Sequence, residues 1–361
     1  MGAAGMAKAG RLRDCVLAMD AVLPCPVTIK IRTGLDKAEA SRFAHKLVAK
    51  ARLWCVGLSS GAGSSSGGAG DVLGQRSALA AITIHGRTRQ QRYSSYADWA
   101  YIQRCAAVAG APVVHMSPQH LWEAGYGARF ECPSALAAWG VAEGEAGAGA
   151  RGALARAAAS GCAPSSAHAA EVALRPPTIP VIGNGDILSW QDWYRHLGEE
   201  VGEGGGGGAP PAPPAARLAT CMLARGALIK PWLPTEIRER RDWDISSRER
   251  LDILREYTAA GLEHWGSDAQ GVAKTRKFLL EWLSFLHRYV PVGLLERAPQ
   301  LMGDHAPAFS GRDDLETLMA SNAAEDWARI SEMLLGPCPP GFRFVAKHKS
   351  SGSSARADAE G

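Results

Sequence analysis

Residues 179–184 read Ile-Pro-Val-Ile-Gly-Asn, an apolar, β-branched run that stops on a glycine and a polar side chain. Three other stretches are built alike: Val27-Thr28-Ile29-Lys30-Ile31-Arg32, Ala81-Ile82-Thr83-Ile84-His85-Gly86 and Ala219-Thr220-Cys221-Met222-Leu223. Such runs read as buried parallel strands, because a strand covered on both faces has no polar face to alternate with. The first three of the four lead through polar loops into helix-like segments, Lys37 to Lys50, Ala97 to Ala109 and Trp190 to Leu197. Strand, loop and helix in repetition predict an α/β fold of the (β/α)8 barrel type, in which ligand-contacting groups stand at the C-terminal strand ends. Lys30, Arg32, His85, Arg87, Asn184, Asp186 and Arg225 fall at such places.

From about Pro231 the pattern changes to long helices, for instance Ser247 to His264 and Gly271 to Tyr289, which predicts a separate α-helical domain. One of these helices carries Lys274, Arg276, Lys277, His287 and Arg288 beside Phe278, Leu279, Leu280, Trp282 and Phe285, a composition that suits one basic and one apolar face. Three stretches interrupt the folded pattern: 58–80, 116–177 and 198–216. They are rich in Gly, Ala, Ser or Pro and cannot bury enough apolar surface to offset chain entropy. They are expected to be disordered insertions, the longest alternatively translated intron sequence. The expected organisation is barrel-forming sequence over 1–231, a helical domain over 232–349 and a disordered tail over 350–361.

The chain has 361 residues, enough for about two domains, and is 46% hydrophobic and 21% charged, which excludes wholesale disorder. Forty Lys and Arg against thirty-six Asp and Glu leave a formal charge of +4, so any polyanion would have to meet a local basic face. No apolar run reaches the roughly 18 residues of a membrane span. Eight cysteines are scattered without a CxxC pair or zinc spacing, so no metal site is expected. The plain reading is reduced thiols in an intracellular protein, with cytoplasmic or nuclear residence expected and organellar residence left open.

The pair GNGDI (183–187) and ARGALIKPW (224–232) carries the most chemistry. Glycine-rich turns after neighbouring strands let backbone N–H groups approach a phosphate, and Arg225 would add a bidentate contact. The plain alternative is that the glycines serve tight turns alone. Lys30 ends a strand with an apolar interior, where an unpaired ammonium would be costly. It points either to a flavin or phosphate oxygen or to a lysine that reaches water along its own stem. His85 stands at the same level of the next strand. The loop Gly86-Arg87-Thr88-Arg89-Gln90-Gln91-Arg92-Tyr93 suits RNA phosphates and a stacked base, or is simply solvated.

VTIKIRTG (27–34), ITIHGRTRQQRY (82–93), PVIGNGDI (180–187) and MLARGALIKPW (222–232) together resemble, in order, the second half of the tRNA-dihydrouridine synthases. RRDWDISSRERLDILREYTAAGLEHWGSDAQGVAKTRKFLLEWLSFLHRYVPVGLLERAPQ (240–300) is similar almost throughout to the eukaryotic branch acting in the tRNA variable loop. The likeness covers residues 2–57, 81–115, 178–197 and 217 to about 349. It implies reduction of uridine to 5,6-dihydrouridine with FMN, itself reduced by NADPH or NADH. It further implies that Lys30 and His85 contact the isoalloxazine and ribityl parts of FMN. Asn184, Gly185, Asp186, Ala224, Arg225 and Gly226 would hold the ribityl chain and phosphate. Arg87, Arg89, Arg92, Lys274, Arg276 and Lys277 would face tRNA.

Members of the family also carry a first flavin-binding loop, a flavin-contacting glutamine and an asparagine-glycine-cysteine-proline loop whose cysteine is the general acid. None of these motifs occurs here, so no catalytic residue is assigned. Gly2-Ala3-Ala4-Gly5-Met6 resembles the turn just after that cysteine, and the strand-bearing segments make up roughly half of the ~250 residues a barrel needs. The expectation is therefore a partial barrel of strands five to eight from a truncated enzyme. A non-catalytic tRNA-binding fragment is the alternative, and another flavin- or phosphate-binding barrel enzyme a third.

Overall fold

The computed structural model describes residues 6, 8–36, 42–56, 76–91, 95–111, 114–116, 172–174, 177–199, 217–296, 304 and 306–347. Chain contacts divide it into two compact units. The first comprises residues 1–90, 98–183 and 210–221, and the second residues 91–97, 184–209 and 222–361. The division falls within the strand ends at Gly183/Asn184 and Cys221/Met222.

In the first unit α1 (Ala9–Val22) leads to β1 (Thr28–Arg32), α2 (Ala44–Ala51) and β2 (Cys55–Val56). Then follow β3 (Arg76–Ser77), β4 (Ala81–His85), α3 (Trp99–Gly110), β5 (Val114–Met116), β6 (Val172–Leu174), β7 (Val181–Asn184) and β8 (Thr220–Met222). Four strands form one sheet in the order β1-β4-β7-β8. β1 and β4 are parallel and in register, from Thr28 opposite Ala81 to Arg32 opposite His85. The chain just before β7 joins β4 through Ile82 N–H to Pro180 O at 2.9 Å, and Ala219 N–H reaches Val181 O at 2.9 Å. A parallel α/β fold is therefore present, and all four strand stretches are strands to within two residues at each end.

The helices bury the stripes their sequences supply. α2 buries Ala44, Leu47, Val48 and Ala51, and α3 buries Tyr101, Ile102, Cys105, Ala106 and Ala109, spacings of three and four that make one helical face. Asp98 caps α3 by accepting from Tyr101 N–H at 2.9 Å, an ordinary N-cap. Arg52, fully buried, donates to the carbonyls of Val108, Ala111 and Pro177.

Of the expected helix from Lys37, residues 37–41 lie outside the described residues, and α2 starts at Ala44, after Arg42 pairs in a bridge with Gly34 and the Thr33 carbonyl takes the Phe43 and Ala44 N–H groups. The expected insertions carry strand at their edges. β3 pairs antiparallel with β2, and β6 with β5, since Val172-Ala173-Leu174 is apolar enough to add to a strand. The rest of those insertions, Gly2 to Gly5 and the 350–361 tail lie outside the described residues.

The second unit holds α4 (Trp190–Leu197), α5 (Arg225–Ile229), α6 (Leu233–Glu239), α7 (Ser247–Trp265), α8 (Ala269–Leu286), α9 (Asp314–Ala320) and α10 (Ala324–Leu335). α4 and α7 each open on a capping box, Ser189 with Asp192 and Ser246 with Glu249, which satisfies the first N–H groups reciprocally. Leu254, Leu279, Leu280, Leu283, Leu286, Met319, Trp327 and Ile330 make the core. Among the described residues no helix is long and apolar enough to cross a membrane.

Candidate active site

Alternation along β1 places Thr28, Lys30 and Arg32 on one side and Ile29 and Ile31 on the other. Direct pairing then sets Thr83 beside Lys30 and His85 beside Arg32 on the same face of the first unit's sheet. On this face β1 carries Thr28, Lys30 and Arg32 and β4 carries Ala81, Thr83 and His85, with no acidic side chain among the six. Lys30 is therefore not at the strand end, as expected, but two residues before it.

Its side chain reaches solvent, while partial burial and then the positive charge of Arg32 push its pKa below the ordinary lysine value. Arg32 Nη1 donates to Thr88 O at 2.7 Å, and Arg87 Nη1 lies 3.5 Å from His85 Nε2. The loop after β4 is held to β1 as well, through Thr33 N–H to Arg87 O and Arg89 N–H to Gly34 O. Thr83 was missed by the sequence reading, although strand alternation puts it two residues from His85 and on its side.

In the second unit Asn184 Nδ2 donates to Met222 O at 2.8 Å, tying the end of β7 to the end of β8. Gly185 takes φ 131° and Asp186 φ 52°. The first is a conformation open to glycine, and the second one that aspartate tolerates better than most residues. The turn aims the Asp186 carboxylate inward, where it accepts from Ala97 N–H at 2.7 Å and pairs with Arg225 Nη2 at 3.3 Å. Through this pair Asp186 holds Arg225 in place. Ala224 precedes α5 without a side-chain cap. A Cβ on Gly226 would stand 2.2 Å from Ile187 O, so only glycine lets α5 approach the GNGDI turn.

Two of the six residues expected on tRNA point inward. Arg276 is 2% exposed and donates to Ser331 Oγ, to the Leu335, Gly336 and Pro337 carbonyls and to Cys338 Sγ. It closes the end of α10, since a buried guanidinium needs acceptors and these are the ones α8 faces. Arg87 is buried too, against His85. Arg89, Lys274 and Lys277 are exposed, and Arg92 lies outside the described residues.

The cysteines at positions 15, 25, 105, 221 and 338 are free thiols. Burial pushes Cys105 and Cys221 up to about 12, so neither is poised to ionise at neutral pH. Among the described residues no three His, Cys, Asp or Glu side chains gather as a metal site would require.

No family model matches the chain. It is 41% identical over 349 residues to the tRNA-dihydrouridine(47) synthase NAD(P)(+)-like protein of Rattus norvegicus, covering 97% of this chain and 38% of that protein. It is 39% identical over 351 residues to the tRNA-dihydrouridine(47) synthase NAD(P)(+) of Malassezia globosa, covering 97% of this chain and 34% of that protein. To the corresponding protein of Arabidopsis thaliana it is 37% identical over 349 residues, with 97% and 35% covered. The chain therefore spans little more than a third of the length of these relatives.

Proposed function

The chain belongs to the tRNA-dihydrouridine synthase family, and from that membership and the strand-end geometry we propose that it carries the FMN cradle and tRNA-gripping helices of such an enzyme. The single observation that carries this reading is the Asp186–Arg225 pair, in which a buried carboxylate fixes a guanidinium beside two glycine-dependent turns.

The donor chemistry fits FMN. Lys30, Arg32, Thr83 and His85 offer hydrogen-bond donors on one sheet face, and Asn184, Arg225 and backbone N–H groups offer them at the other turn. The Asp186 carboxylate at that turn is paired with Arg225 and accepts Ala97 N–H, which tempers its repulsion of a phosphate. Lys30 and His85 would meet the ring and ribityl oxygens. Asn184, Gly185, Ala224, Arg225 and Gly226 would frame the ribityl chain and phosphate, with Asp186 behind Arg225. When bound and reduced by NADPH or NADH, FMN would supply the hydride for uridine C6, and a proton delivered to C5 by an acid would complete the reduction. The target base must leave the tRNA stack to reach it.

We further propose that these strands are strands five to eight of a partial barrel, which their sequence order in the sheet, β1-β4-β7-β8, supports. A second reading, tRNA binding without catalysis, is favoured by the absence of a thiol from the polar face among the described residues.

Flavin fluorescence during FMN titration, followed by mass-spectrometric mapping of dihydrouridine in an unmodified tRNA transcript incubated with NADPH, tests both. The same pair of measurements is made on a form lengthened to match the relatives. Quenching that Arg225→Met weakens supports the cradle. Dihydrouridine made by either form supports the enzyme, and tRNA binding with neither quenching nor product in both forms would leave the second reading standing.

A further inference from the structure

Trp265, the last residue of α7, lies flat against Phe278 of α8, with ring centroids 5.0 Å apart and planes 16° from parallel. Seven other ring pairs, among them Trp232–Tyr289 and Tyr257–Trp282, are T-shaped or tilted, arrangements that packing commonly selects. This stack is not in the core: Phe278 remains 43% exposed. Lys274, one helical turn before Phe278, holds Nζ 5.6 Å from the Trp265 ring centre, and His264 meets the same ring edge-on at 5.2 Å.

Lys277 is exposed beside Phe278. Of the acidic groups nearby, Asp268 is committed to Gly271 N–H as the α8 cap and Glu281 accepts from Lys347 N–H. Glu263 faces solvent. A half-exposed ring beside two exposed lysines, with Asp268 and Glu281 engaged in backbone contacts, matches a nucleotide with its base on the ring and its phosphates on the cations.

We infer that Phe278, backed by Trp265, is a stacking platform for an unpaired base of tRNA, with Lys274 and Lys277 on the flanking phosphates. This rests on the tRNA-binding part of the function proposed above and adds a base contact to it. Stacking acts on a neutral ring and so is indifferent to salt, whereas each lysine–phosphate contact contributes about one unit to the slope of log K against log salt. The two components are therefore separable.

The test is anisotropy of a fluorescein-labelled, unmodified tRNA transcript against the full chain at several salt concentrations. Phe278→Ala is expected to weaken binding about tenfold at every salt with the slope unchanged, and Phe278→Tyr to restore most of it. Lys274→Gln with Lys277→Gln should flatten the slope by about two. If wild type binds and Phe278→Ala binds equally well with unchanged circular dichroism, the platform is wrong while the tRNA reading stands, and the aromatic face belongs to a protein partner. If Phe278→Tyr fails to restore what Phe278→Ala loses, the ring acts through folding and the platform is likewise overturned. No binding by wild type would overturn both readings.

Discussion

Arg276 Nη1 donates to Ser331 Oγ at 2.8 Å, joining two buried side chains 55 residues apart. The same guanidinium takes the carbonyls of Leu335 and Gly336, at the end of α10 where acceptors lack helical partners, and that of Pro337 just beyond it. Its charge is thus spent on holding α10 to α8. Arg276→Met should cost on the order of 3 kcal/mol, because several buried acceptors lose a charged donor together. Urea denaturation followed by circular dichroism reads that loss. The salt slope of tRNA binding by the folded variant should match wild type; a flatter slope would return Arg276 to the RNA face.

Gly226 gives a prediction of the opposite kind, where a methyl group is added rather than an interaction removed. A Cβ there would lie 2.2 Å from Ile187 O and 3.0 Å from Leu233 Cδ2, and a backbone carbonyl cannot step aside as a flexible side chain can. Gly226→Ala should destabilise by roughly 2 kcal/mol and displace Arg225, its neighbour, from Asp186. FMN quenching should fall with it. Retained quenching in a folded Gly226→Ala would separate the glycine from the cradle.

His196, near the end of α4, supplies the pH dependence near neutrality. Burial pulls its pKa down to about 4, against the upward pull of Asp192 and Asp186. A histidine that stays neutral when folded but protonates near 6.5 when unfolded favours the unfolded chain as pH falls. Its stabilisation is complete above about pH 6.5 and lost progressively down to about 4. The span corresponds to on the order of 3 kcal/mol. His196→Gln should flatten the melting temperature across that window, and an unchanged pH profile would show that His196 is not the titrating group.

The parts of the fold that could be read from sequence are those whose causes are local. Residues 190–197 form a helix because Ser189 caps one end and Gly198 turns left-handed at the other, and both signals sit in the sequence. The strands declared themselves by β-branched runs. Arg276 and Arg87 misled because charge alone suggested solvent. Helical spacing in fact sets Arg276 with Leu279, Leu280 and Leu283 on the buried face of α8, which the pattern permitted but a cation obscured. The role of Asp186 was illegible for another reason, since its partner Ala97 N–H is 89 positions away. The flat Trp265–Phe278 stack likewise depends on how two helices meet, which no single window contains.

Glu316 is one of the carboxylates, with Glu249 and Asp313, whose pKa values the fold of the helical unit lowers. Its carboxylate, 1% exposed, pairs with Arg312 Nη2 at 2.7 Å and accepts Arg312 N–H as well. These bonds outweigh burial and hold its pKa below the ordinary 4.5. A depressed carboxylate stabilises the fold fully above that ordinary value, and the contribution fades as pH falls through the lowered one. The charge also faces Arg250, whose Nε and Nη2 are buried without a hydrogen-bond partner beneath the Tyr289 ring, 4.9 Å away. Protonating Glu316 therefore removes a counter-charge from a guanidinium that burial already pulls down to about 10. Glu316→Gln should lower stability by about 2 kcal/mol at neutral pH and remove most of the further loss below pH 4.5. Because Arg250 would then be the uncompensated group, Arg250→Met in the Glu316→Gln background should recover part of the stability. A double variant less stable than Glu316→Gln alone would show that Arg250 is held by its ring contact instead.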